Sequence, residues 1–174
     1  MTGAVHSSPE VAVRLAEAAD THALLRLINQ AFAVEQIVIE GERIDLEKAR
    51  ALFETGNFLP FYEAEQLLGC GYVEVKNQRG YLGLLAVQPG RQKSGFGRRL
   101  AAAAEDVLRR AGCQAVDLHF VSARTELPPI YARLGYVASG TAPIPDSIAL
   151  KVASHFIVMS KGLDGSSLAV KISV

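Results

Sequence analysis

Apolar and polar positions change period several times along this chain, and the changes divide it into elements. Val11-Ala12-Val13-Arg14-Leu15-Ala16 alternates and predicts a first strand. Leu24, Leu25, Leu27, Ile28, Ala31 and Phe32 then recur at helical spacing, with Asp20 or Thr21 placed to cap the helix. A second helix is expected from about Asp45 to Phe53, ended by Gly56 and Asn57. Phe58–Glu63 and Leu67–Val75 read as strands joined by a hairpin near Glu65-Gln66, and a turn at Asn77-Gln78-Arg79-Gly80 leads into a further strand, Tyr81–Val87. That strand is apolar on both faces, which predicts a central position. The following helix carries Leu100, Ala101, Ala104, Val107, Leu108 and Ala111 on one stripe, with Glu105, Asp106, Arg109 and Arg110 opposite and Gly112 as its stop. Ala115–Val121, Tyr136–Ser139 and His155–Lys161 read as strands, and Pro129–Leu134 as a short helix. The fold class is α/β with a mixed sheet, the crossover making Tyr81–Val87 and Ala115–Val121 locally parallel.

Composition narrows the class. A chain of 174 residues, 49% of them hydrophobic, is long enough for one domain with a sizeable core. With 18 basic and 18 acidic side chains the net charge is zero, so no global field draws the protein toward nucleic acid or an anionic membrane. The two cysteines, Cys70 and Cys113, have neither metal-ligand spacing nor the density of a secreted scaffold, and a reducing cytoplasm is expected, with no metal. No apolar run reaches the ~20 residues that span a bilayer. Residues 1–10 read as a disordered lead, 11–163 as the domain, and 164–174 as an extension in which Leu168–Val174 alternates like a strand.

The strongest chemical signal lies where the Tyr81–Val87 strand runs through Pro89-Gly90-Arg91-Gln92-Lys93-Ser94-Gly95-Phe96-Gly97 into the next helix. A helix start leaves backbone amides unpaired and carries partial positive charge, so it holds phosphate groups, and glycine lets them approach the main chain. The spacing is not that of a P-loop, since no Gly-Lys-Ser/Thr follows, nor that of a dinucleotide fingerprint, since Leu100 stands where a third glycine is required. What remains is Gln92-x-x-Gly95-x-Gly97, with the local cations Arg91, Lys93, Arg98 and Arg99.

Val87-x-Pro89-x-x-Gln92-x-x-Gly95-x-Gly97-x-x-Leu100 resembles the coenzyme A signature of the GNAT (GCN5-related) N-acetyltransferases, and Tyr131-Ala132-Arg133-Leu134-Gly135-Tyr136 resembles a second element of that family. Lys93 stands where many members carry glycine. The resemblance implies a mostly antiparallel mixed sheet in a single domain, flanked by helices, with its central strand pair splayed. It implies acetyl-CoA as cofactor, bound by Leu85, Ala86 and Val87 along the strand and by Gln92, Lys93, Ser94, Gly95, Phe96, Gly97 and Arg98 in the loop. The activity implied is acetyl transfer to a primary amine of a small molecule or protein, by a monomer or homodimer without nucleic acid or membrane. A catalytically degenerate acyl-CoA-binding module is the alternative.

Tyr131 matches the family's proton donor to the departing thiolate, a role suited to a phenol. Tyr136 reads as core. Tyr81–Leu85 lacks the glutamate many members use as base, which leaves Glu35, Glu74, His119 and His155 as candidates. Glu35 through Arg43 mixes acidic and apolar residues, a pattern that suits a cationic amine or a solvated acidic turn equally. The proline-stiffened Thr141–Asp146 is a candidate wall for the site.

Overall fold

The computed structural model describes residues 14–163. The expected lead and the 164–174 extension lie outside the described residues, as do Val11–Val13 of the expected first strand. Arg14–Ala16 belongs to no strand, although the Ala16 amide donates to the Phe58 carbonyl at 2.8 Å. A 3₁₀ turn, Ala18–Asp20, leads into helix α1, Thr21–Ala31. Asp20 stands at its N-cap, but its side chain makes no capping bond to α1; it accepts from Arg14, from Tyr62 and from the Glu17 amide, the last as part of a capping box on the preceding 3₁₀ turn.

Helix α2, Leu46–Thr55, starts on Asp45, whose carboxylate accepts from the Lys48 amide at 2.8 Å, and ends on Gly56. Strands β1, Asn57–Glu63, β2, Gln66–Lys76, and β3, Arg79–Val87, form consecutive hairpins. Their turns, Ala64-Glu65 and Asn77-Gln78, place both central residues at positive φ, the twist that suits a two-residue hairpin. Helix α3, Phe96–Arg110, crosses back to β4, Ala115–Val121; α4, Leu127–Arg133, follows, and β5, Val137–Ala142, and β6, Phe156–Gly162, complete the order β1-β2-β3-β4-β6-β5. Among the described residues only β3 and β4 pair in parallel.

Alternation along β4 separates two cores. Val116, Leu118 and Phe120 pack with Ala101, Ala104 and Leu108 of α3 and with Tyr131 of α4. On the opposite face α1 and α2 cover Phe58, Cys70, Tyr72 and Ala86. The expected polar side of α3 has one exception: Glu105 is buried, accepting from the Tyr136 hydroxyl at 2.9 Å and from Lys161 at 2.7 Å. Two donors satisfy the carboxylate in the interior, which is why a charge is tolerated there. Tyr136 is core, as its position predicts.

Candidate active site

The parallel pairing of β3 and β4 stops at Leu82 and Leu118. Immediately beyond, β3 carries a bulge: Cys70 pairs with Ala86 and Tyr72 with Gly83, so Gly71 alone faces Leu84 and Leu85. Leu84 takes φ +46°, a left-handed conformation uncommon for leucine. A bulge bends its strand and sharpens the twist, and here β3 turns away from β4 at that point. The result is a groove of about 820 Å³, walled by Leu82–Leu85 and Val87 on one side and Leu118–Val121 on the other.

One end of the groove is the glycine loop. Gly90, Lys93 and Gly95 have φ of +92°, +64° and +79°, which folds the chain tightly before α3 begins. A Cβ built on Gly95 would meet nothing within 4 Å, so this position faces open space at the helix start. Gln92 Nε2 donates to the Val87 carbonyl at 3.3 Å and Arg91 pairs with Glu63, tying the loop to the strands. Gln92, Lys93, Gly95, Gly97 and Arg98 line the groove. Ala86, Ser94 and Phe96 do not. Ala86 packs into the α1 face, Ser94 Oγ donates to the Arg91 carbonyl at 2.5 Å, and Phe96 is buried edge-on against Phe61. Unpaired amides at a helix start, with Lys93 and Arg98 beside them, make this end fit for phosphate.

His119 is the first β4 residue beyond the last parallel pair, on the face opposite Phe120. Its ring lies 5.2 Å from that of Tyr81 and 5.9 Å from that of Phe156. Burial pushes its pKa down, with Asp117 pulling weakly the other way, so the imidazole is neutral near pH 7. Tyr131 stacks on Phe120, ring centroids 5.7 Å apart, and meets Tyr136 edge-on at 5.8 Å. Burial pushes its phenol up to about 12, against the opposing charge of Arg124. His119 and Tyr131 line the same groove and reach it from opposite faces of the sheet.

The other base candidates are placed differently. Glu74, on β2, accepts from the Tyr72 hydroxyl at 3.2 Å, and His155 is exposed ahead of β6; neither lines the groove. Glu35 does line it, from a 3₁₀ turn over Ala33–Ile37, but it is only 4% exposed. Its Oε1 lies 3.2 Å from Arg124 and its Oε2 3.6 Å from Arg43. Burial pulls the Glu35 pKa upward while the two guanidinium groups oppose that pull. The acidic stretch is divided: Glu40 and Glu42 are exposed to solvent and do not line the groove, while Glu35, its one groove-facing carboxylate, is covered by two cations. Neither arginine stands out in the sequence; each has significance only through Glu35. The Thr141–Asp146 segment does not wall the groove: Ile144 packs behind it with Val38, Ile39 and Val121. Among the described residues no cluster of histidine, cysteine or carboxylate side chains could hold a metal, and no helix is long and apolar enough to cross a membrane.

The sequence model of the Acetyltransferase (GNAT) domain matches residues 28–149. No curated protein matches the chain. Among solved structures, the ribosomal-protein-S18-alanine N-acetyltransferase of Escherichia coli superposes with a TM-score of 0.69 at 17% identity, covering 92% of this chain and 98% of that one. A Bacillus subtilis acetyltransferase in complex with CoA gives 0.66 at 13% identity, covering 88% and 99%. A spermidine N-acetyltransferase chimera from Vibrio cholerae and hSSAT gives 0.69 at 16%, covering 88% and 96%.

Proposed function

Because the chain belongs to the GNAT acetyltransferase family, we propose that it is an acetyl-CoA-dependent N-acetyltransferase acting on a primary amine of a small molecule or protein. The observation that carries this reading is one groove lined by the glycine loop, His119 and Tyr131 together. The groove fits the coenzyme: its loop end is cationic, Gly95 leaves a helix start uncovered, and the parted strand β3 borders it along Leu82–Leu85 and Val87.

Acetyl-CoA, when bound, supplies an acyl group activated as a thioester. The amides from Gln92 through Arg98, with Lys93 and Arg98, would hold the diphosphate, and the backbone of Leu85 and Val87 would receive the polar arm, while Ala86, paired with Cys70 of β2, is turned away from it. An amine attacks only when deprotonated. The neutral imidazole of His119 takes the amine proton, directly or through water. The Tyr131 hydroxyl, still protonated at working pH, gives its proton to the departing thiolate sulfur. His119 is favoured as base over Glu74 and His155 by its place in the groove. It is favoured over Glu35 because both Glu35 oxygens face guanidinium groups.

The test is acetyl-CoA turnover against an amine panel, read by thiol release and by the mass gain of the acceptor. Release coupled to acceptor acetylation supports the reading. Acetyl-CoA binding without release for any amine would instead identify a coenzyme-binding module that has lost the reaction.

A further inference from the structure

We infer that the acceptor amine also carries a carboxylate, received by Arg43 and Arg124 at the end of the groove formed by α1 and the Ala33–Ile37 turn. This inference rests on the acetyltransferase reading of the same groove and names the class of its second substrate.

The charges at this end are arranged for an incoming anion. Glu35 is a single buried carboxylate whose two oxygens are divided between two guanidinium groups. It lies behind them and is closed to solvent, so the cations are what a ligand meets. Arg124 uses Nε on Glu126 and Nη1 on Glu35, which leaves Nη2. Arg43 is held from two sides: its guanidinium sits 5.4 Å over the Phe32 ring, and its buried Nε is turned toward Glu35 Oε2 at 3.6 Å. Its Nη edge, which makes no hydrogen bond to the described residues, is the part left for a ligand, and a guanidinium edge matches the oxygens of a carboxylate.

The rest of this end supplies apolar surface. Phe32, Val34 and Phe156 line it, with Ile130 across the groove. An amino acid with an apolar side chain meets all three requirements: a carboxylate for the arginines, a hydrophobic body for these walls, and an amine for His119. A polyamine meets none of them beyond the amine. Its remaining ammonium groups would face Arg43 and Arg124, and the carboxylates here, Glu35 and Glu126, are already engaged.

Matched acceptors test this: L-phenylalanine, L-phenylalaninamide, phenethylamine and spermidine, with L-leucine and L-leucinamide as a second pair. For each, kcat/KM is measured by thiol release, and binding to the CoA-loaded protein by calorimetry. The amides carry the less basic amines and hence more of the reactive neutral form, so a preference for the free acids would stand against that bias. The expected preference is about 10- to 100-fold, the range of a charge-assisted pair lost or kept. Arg43→Gln is expected to erase it by raising the acceptor KM with little change in kcat, and Arg43→Lys to keep part of it. Unchanged acetyl-CoA binding in both variants shows that each is folded. Amides, phenethylamine or spermidine reacting as fast as the free acids would overturn the carboxylate inference and leave the acetyltransferase reading standing. If no acceptor reacts here or in the wider amine panel, that reading falls. Calorimetry then still decides the inference: binding of free acids that Arg43→Gln abolishes upholds it, and absence of such binding refutes it.

Discussion

At His119 and Tyr131 one physical cause moves two pKa values in opposite directions. Burial disfavours whichever form is charged, so it lowers the imidazole and raises the phenol, leaving both neutral at pH 7. A neutral imidazole is ready to accept a proton and a neutral phenol to give one, which is the division of labour the proposed reaction needs. The sign of the pH dependence follows. Turnover at saturating acceptor should rise with pH through a pKa below the ordinary 6.5 of histidine. His119→Gln should remove that limb and lower the plateau; a limb retained in the variant would assign it to another group. No descending limb from Tyr131 is expected below about pH 10, since its phenol stands near 12. Tyr131→Phe should lower kcat by roughly 10²-fold, the lower range for a lost proton donor, with acetyl-CoA affinity unchanged. Unaltered turnover would leave Tyr131 only its packing on Phe120 and Tyr136.

Among the elements, the start of α3 and the bulge of β3 determine where the coenzyme lies in the proposed reading. Gly95→Glu separates the two consequences of glycine there. The added Cβ collides with nothing in the protein, and its positive φ costs on the order of 1 kcal/mol, so the variant should fold with a slightly lower Tm. The carboxylate, however, would stand in the space left for phosphate and repel it. Acetyl-CoA binding by calorimetry should be lost, and retained micromolar affinity would move the phosphate site elsewhere. The helix start was legible in the sequence because glycine spacing is a local signal. The same holds for the helix that starts near Asp45, for the stop at Gly112 and for β4, whose bounds the alternation predicts as observed. The bulge was not legible. Gly83-Leu84-Leu85 carries no turn chemistry, and only the pairing of β3 with β2 on one side and its release from β4 on the other reveal the extra residue. Glu105 was misassigned to the solvent side of α3 for a related reason: its partners, Tyr136 and Lys161, come from other parts of the chain.

For the whole molecule, what the sequence hides is whatever depends on distant segments meeting. The donor half of the groove comes from one continuous stretch, β3 through α3, and could be read as a motif. The proposed acceptor half brings Glu35, Arg43 and Arg124 together from separate segments, and the one groove-facing carboxylate of an acidic-looking stretch changed its meaning once two arginines covered it. Tertiary ion pairing also fixes the response of the fold to acid. Hydrogen bonds from Arg14, at 2.7 Å to each oxygen, hold the Asp20 carboxyl well below the usual carboxylate range against the cost of burial, with help from the Glu17 amide and the Tyr62 hydroxyl. At Asp117 burial pulls upward, yet Arg79 and Ser160 bring the pKa below its ordinary value. Both carboxylates are thus less readily protonated folded than unfolded. Their stabilisation is fully present above the unfolded pKa of about 3.9 and is lost as pH falls below it toward the folded values. Thermal unfolding should therefore show a Tm that is level above about pH 7, declines below about pH 6.5 as the unfolded chain protonates His119 more readily than the fold does, and drops steeply below about pH 4. Asp20→Asn should lower the Tm at pH 7, because Arg14 and Tyr62 then anchor the segment before α1 to a weaker acceptor, and should flatten the acid drop. An Asp20→Asn protein with an undiminished acid drop would transfer that pH dependence to Asp117 and its partners.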